Sequence, residues 1–186
     1  MKGVLFEIHQ QQNNEQLLAY LCGLSLLTKK KFGPHPFTLE AINNLANNKG
    51  YRLYTARYKN KLIGYSIIKI GWLDHEKSRL MKYGITENYH DITLAPSIAD
   101  EYQGKGIGCQ FLQYILNDID SLMNKGNIYL WGGVQKSNKR AIKLYEKIGF
   151  VTLGVFNNKG AYLDMVLPRK TTIVHQTILN SEEIYS

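Results

Sequence analysis

The chain predicts a mixed α/β domain (α+β in detail), one sheet flanked by helices in the order β-α-α-β-β-β-α-β-α-β-β. Three observations carry this. Short apolar runs rich in β-branched and aromatic residues alternate with Gly, Asn and Pro punctuation. Two segments repeat leucine and isoleucine at helical spacing. Two βα units sit between hairpin-like pairs.

Gly3 to Ile8 reads as a strand with Val4, Phe6 and Ile8 on one side. Leu17, Leu18, Leu21, Leu24 and Leu27 recur at helical spacing, predicting one helix over Asn13 to Thr28. Gly33-Pro34-His35-Pro36 breaks it, and Thr38 caps a second helix running to about Asn47. Tyr51 to Tyr58 and Leu62 to Trp72 form a hairpin around Lys59-Asn60-Lys61. Asp74 to Asn88 is polar and irregular, and reads as a loop. Asp91 to Ile98 is a strand in which Pro96 predicts a bulge or local splay, because proline cannot donate to a ladder. Leu112, Ile115, Leu116, Ile119, Leu122 and Met123 line a helix that Gly126 would cap. Ile128 to Val134 is a strand buried on both faces. A further helix runs from Ser137 or Asn138 to Gly149, and Phe150 to Phe156 pairs with Ala161 to Leu167.

This places one domain over residues 1–167. The tail from Pro168 to Ser186 has no clear assignment; covering an edge strand and joining a homodimer are the roles open to it. At 186 residues, with 44% hydrophobic and 20% charged side chains, the chain can bury its own core. A net charge of +8 favours anionic partners. The lysines are scattered apart from Lys29-Lys30-Lys31, which argues for a phosphorylated ligand and against nucleic acid. Cys22 and Cys109 lie in different segments, so neither a disulfide framework nor a metal cluster is suggested, and a reduced, cytoplasmic setting fits. No apolar run approaches the ~18 residues that span a membrane.

The densest chemical signal is Gln103-Gly104-Lys105-Gly106-Ile107-Gly108, between a strand and an apolar helix. Alternate glycines let successive N–H groups turn into one concavity, and a helix starting there adds free N–H groups and its positive dipole end. The segment is therefore a seat for phosphate or pyrophosphate. It lacks the lysine and Ser/Thr of a Walker loop. The dinucleotide spacing fails too, since its third glycine would fall on Cys109 or Phe111. A second constellation follows in Asn138 to Phe150. Asn138 and Tyr145 are about two helical turns apart and project from one stripe, while Ala141 and Leu144 pack the same helix.

The two together, Gln-x-x-Gly-x-Gly after a strand and then Asn-x-x-Ala-x-x-x-Tyr-x-x-x-Gly-Phe, resemble the GNAT superfamily of acyl-CoA N-acyltransferases over roughly Tyr51 to Leu167. The resemblance implies a centrally splayed sheet and an N-acetyltransferase using acetyl-CoA, with no metal, on a primary amine of a small molecule or peptide. It implies a pyrophosphate seat in the amides of Gln103, Gly104, Lys105, Gly106, Ile107, Gly108 and Cys109. Backbone groups at Ile98, Ala99 and Asp100 would pair with the pantetheine arm, Asn138 would reach that arm, and Tyr145 would sit beside the thioester sulfur. The superfamily often has Arg where this chain has Gln103.

The chemistry fits direct attack in a ternary complex. Tyr145 would protonate the departing thiolate as general acid, and backbone N–H groups of the splayed strand would hold the developing oxyanion. The base is least defined: His90 stands first by position, with His75, Glu76, His35, Asp91 and Glu101 behind it. Phe32, Pro34, His35, Pro36 and Phe37, facing the Asp74 to Asn88 loop, would form the acceptor pocket. The basic charge disfavours polycationic acceptors. A non-catalytic acyl-CoA sensor is the alternative reading.

Overall fold

The computed structural model describes residues 2–122, 126–157 and 160–169. Met123 and the tail from residue 170 onward, both assigned roles from the sequence, lie outside the described residues. Eight strands form one sheet in the order β1-β2-β3-β4-β5-β8-β6, with β7 pairing β8. The first four are β1 (Val4–Ile8), β2 (Tyr51–Tyr58), β3 (Lys61–Ile70) and β4 (Ile92–Ile98), and each pairs antiparallel with the next. Lys59 and Asn60, at φ 47° and 63°, make the two-residue turn of the β2–β3 hairpin.

Alternation along the central strands assigns the two faces. Leu53, Ile67 and Ala95 face α1 (Asn14–Gly23) and α3 (Leu39–Asn47), where Leu17, Leu21 and Ile42 are buried. Their neighbours Tyr54, Ile68 and Leu94 face α5 (Ile107–Ser121), whose Ile107, Phe111, Leu112, Ile115 and Ile119 form the opposite core. At about 1.5–3 kcal/mol per buried side chain, this α5 stripe alone contributes on the order of 10 kcal/mol before entropy. The single helix expected over Asn13 to Thr28 is two. It stops at Gly23, and α2 (Leu26–Lys29) restarts on Ser25, whose side chain accepts the Thr28 N–H.

Three further expectations are corrected. The Asp74 to Asn88 segment holds α4 (Asp74–Met81), which has little apolar periodicity because ion pairs anchor it: Arg79 lies between Glu76 and Asp164, each at 3.0 Å. Tyr83 donates to Asp164 at 2.8 Å. Gly126 does not cap α5, which ends at Ser121 with Leu122 as its cap; a Cβ at Gly126 would lie 1.9 Å from the His90 carbonyl oxygen, so its role is close backbone approach. The strand expected over Ile128 to Val134 is divided into β5 (Ile128–Leu130) and β6 (Val134–Gln135) by Gly132 and Gly133 at φ 68° and 64°.

That division opens the sheet. β5 runs parallel to β4 only over Ile92↔Ile128, Thr93↔Tyr129 and Leu94↔Leu130, closing with the Trp131 N–H on the Leu94 carbonyl at 2.9 Å. The chain then turns away, and β6 pairs β8 (Tyr162–Leu167) instead. Glu76, 1% exposed, fixes the turn by accepting the Gly132 N–H at 2.7 Å. Ala95–Ile98 therefore pair with β3 alone. Pro96 introduces no bulge, since the β3–β4 register runs unbroken from Gly64↔Ile98 to Ile70↔Ile92. The last helix, α6 (Lys139–Ile148), starts on Asn138 and ends on Gly149 at φ 110°, before β7 (Val151–Phe156).

Candidate active site

The open half of β4 is the wall from which the site is built. The Ile92 N–H donates to Asn127 and the Leu94 carbonyl accepts from Trp131, whereas the Ala99 N–H donates to Ile63. Even-numbered residues of β4 thus present their backbone groups away from β3, which puts those of Pro96 and Ile98 into the split. The Ile98 N–H is free there, and its carbonyl accepts Gln103 Nε2 at 2.9 Å. Of the backbone groups predicted to face the split, Ile98 does so. The Ala99 N–H is taken by Ile63 at 2.8 Å, and the Asp100 carbonyl accepts the Gln103 N–H at 3.2 Å, which also withdraws the Gln103 amide from the expected pyrophosphate seat.

The glycine loop lies at the open end. Gly104 and Gly106 have φ of 76° and 78°, and a Cβ on either would meet nothing within 4 Å, so both face free space. Gly106 starts α5 without a side-chain cap, and the first amide with a helical partner is Gln110, bonded to the Gly106 carbonyl at 3.2 Å. The N–H groups of Ile107, Gly108 and Cys109 therefore point out of the helix end. Lys105 lies over the Tyr102 ring, 5.4 Å from its centroid. At Gly108 a Cβ would reach 3.2 Å from Leu144, so this glycine sets the approach of α5 to α6. Gln103 also accepts Arg140 Nη1 at 3.1 Å. The cation absent at position 103 is thus brought to the loop from α6, a partner sequence spacing gave no means to find.

Asn138 and Tyr145 line the same cleft, as their spacing on one stripe implied. The Asn138 side-chain oxygen caps α6 through the Ala141 N–H. The Tyr145 hydroxyl has no hydrogen-bond partner among the described residues, and burial pushes its pKa well above the ordinary tyrosine value. The cleft encloses about 700 Å³. Its basic side chains include Lys29, Lys30, Lys31, Arg140 and Lys147, while its lining carboxylate is the already bonded Asp100.

His90 is not brought to this cleft. It sits before β4, its ring tilted against Tyr89 with centroids 3.8 Å apart, and six steps of strand carry the chain from Ile92 to Ile98, about 20 Å at ~3.3 Å per residue. The imidazole lining the cleft is His75, on the first turn of α4 beside the Glu76–Gly132 clamp. Phe32 and Pro34 also line it. His35 packs behind them, its Nε2 3.0 Å from the Tyr65 hydroxyl and its Nδ1 2.8 Å from the Pro36 carbonyl. Phe37 is stacked edge-on to His35.

A sheet split beside a parallel strand pair, with a glycine-rich helix start at the mouth, defines an α/β fold whose cleft opens within the sheet itself. The model of the acetyltransferase (GNAT) family matches residues 19–150, and the chain belongs to that family. Among curated proteins it is 35% identical over 74 residues to the [ribosomal protein bS18]-alanine N-acetyltransferase of Salmonella typhimurium, covering 39% of this chain and 48% of that protein. It is 27% identical over 105 residues to the N-alpha-acetyltransferase of Sulfurisphaera tokodaii, covering 56% and 59%. The chain thus matches about half the length of these relatives. Among solved structures, an aminoglycoside acetyltransferase in complex with coenzyme A superposes with a TM-score of 0.65 at 19% identity, covering 90% of this chain and 95% of the other.

Proposed function

We propose that the protein is an acetyl-CoA-dependent N-acetyltransferase that works by direct transfer in a ternary complex. The observation that carries this reading is the Ala95–Ile98 edge without a second partner strand, leading to the outward-pointing amides of Ile107–Cys109. An extended amide-bearing arm ending in a pyrophosphate matches both parts. The Ile98 N–H and the Pro96 carbonyl would pair with the arm, and the loop amides with Arg140 would hold the phosphates. Acetyl-CoA supplies the activated thioester. The named activities of the two curated relatives and the cofactor of the structural neighbour support the same reading.

Around the thioester, Asn138 orients the arm and Tyr145 presents the hydroxyl that assists the reaction. An acceptor amine with pKa near 10.4 must lose a proton before attack. His75 is the imidazole in reach of that task, on the wall held by Glu76. The acceptor is an amine on a small molecule or peptide without surplus positive charge. Lysines 29–31 would repel a polycation, and Asp100 is already occupied by Thr28 and Ser25.

Calorimetry with coenzyme A, ATP and NAD, followed by a thiol-release screen of amines graded by charge, tests this. Micromolar binding of coenzyme A alone, with turnover favouring neutral or acidic amines, is expected. Equal binding of ATP would sink the cofactor assignment, and preferred turnover of polyamines would sink the acceptor class.

A further inference from the structure

Hydrogen-bond donors run out where the split closes. Two backbone positions of the open half of β4 face it: Ile98 has an N–H, and Pro96, nearer the vertex, has none. Across the split the Trp131 N–H is bonded to the Leu94 carbonyl, the Gly133 N–H to the Leu130 carbonyl, and the Gly132 N–H to Glu76. The remaining amide, that of Ile98, lies at the mouth, about 7 Å from position 96 along the strand. Whatever polarises an acyl carbonyl at the vertex must be a side chain.

We infer that the Tyr145 hydroxyl, and not a backbone amide of β4, is the donor that holds the oxyanion of acyl transfer. This rests on the acyltransferase reading and names the atom that Tyr145 serves. Among donors lining the cleft, Tyr145 is buried and lacks a protein partner. Asn138, whose Oδ1 accepts the Ala141 N–H, and Tyr162, whose hydroxyl accepts Gln135 Nε2 at 3.0 Å, are only half-buried, and His75 is exposed, so Tyr145 is the donor shielded from water. Burial, by raising the phenol pKa, makes Tyr145 a poor proton source for a thiolate of pKa near 8.5. The same burial leaves it a good hydrogen-bond donor to an alkoxide-like oxygen.

In the step so assigned, the amine nitrogen forms the C–N bond and the carbonyl π pair moves onto oxygen, held by the Tyr145 O–H. On collapse the C=O re-forms, the C–S bond breaks, and its pair leaves on sulfur. The proton lost by nitrogen reaches sulfur through solvent, so amine and thioester become amide and thiol. A preorganised donor of this kind is worth about 10²–10³ in turnover.

Isotope-edited infrared spectra of acetyl-CoA labelled with 13C at the carbonyl, bound to the full chain, test this directly. The bound carbonyl stretch is expected below its value in an apolar solvent, and Tyr145→Phe should return it there while turnover falls about 100-fold. Tyr145→Phe removes an oxygen without a protein partner, so its thermal midpoint should not move. Pro96→Ala restores an N–H facing the split, and should lower the stretch again and recover about tenfold of the turnover lost in Tyr145→Phe. An equally shifted carbonyl in wild type and Tyr145→Phe would assign the hydroxyl to sulfur and overturn the inference. Strictly multiplicative rate effects of the two substitutions would overturn it too. Failure of coenzyme A to bind by calorimetry would remove the reading beneath it.

Discussion

The two halves of β4 are continuous in sequence and treated oppositely by the sheet. Ile92, Thr93 and Leu94 pair with β3 on one side and β5 on the other, whereas Ala95–Ile98 pair with β3 alone. Unpaired backbone groups inside a sheet are costly unless something else meets them. The difference leaves an edge that a ligand would complete under the proposed function, and it explains why a proline is tolerated at position 96. Its missing donor falls in the half that has no partner strand, so the β3 ladder keeps every bond.

The comparison can be broken hardest in the closed half. Gly126→Ala drives a Cβ to 1.9 Å from the His90 carbonyl oxygen, where the chain enters β5 beside the start of β4. A stability loss of about 4 kcal/mol or more is expected by chemical denaturation, the size reserved for uncorrectable clashes. In the open half the ranking reverses, with binding suffering more than stability. Gly106→Ala places its methyl in free space at the loop, at a cost of about 1 kcal/mol for the left-handed backbone. Calorimetry should show coenzyme A affinity reduced tenfold or more. The smallest effect lies behind the open half, where His35 bonds Tyr65, the β3 partner of Ser97. Burial holds the His35 pKa below its ordinary 6.5, so the folded state prefers the neutral ring. Its contribution to stability is complete above about pH 6.5 and is lost as pH falls from there through the folded value. Denaturant midpoints at pH 7.5 and 5.5 should differ less in His35→Gln than in wild type.

What was legible from sequence followed from local rules. Thr38, Asn138 and Gly149 mark helix ends through their own side chains or backbone, and the β2–β3 hairpin carries its turn in Lys59 and Asn60. The cleft stripe of Asn138 and Tyr145 needed only helical periodicity. What was not legible depended on partners remote in the chain. α4 is held by Arg79 against Asp164, 85 residues away, so its own composition looks like a loop. The break between β5 and β6 depends on Glu76 reaching Gly132, which no reading of Ile128 to Val134 contains. His90 drew the base assignment because it is close in sequence to the splayed strand. A strand converts that closeness into distance, whereas α4 folds His75 back onto the vertex.

An arm that completes the Ala95–Ile98 edge would also change how long the protein survives. A ligand at a hundredfold excess over its Kd adds about 2.7 kcal/mol to the folded state, lowering the unfolded fraction open to proteases about a hundredfold. Under the proposed function the missing strand would tie the lifetime of the molecule to the supply of acetyl-CoA, whose depletion would thin the number of copies before it slowed the turnover of each.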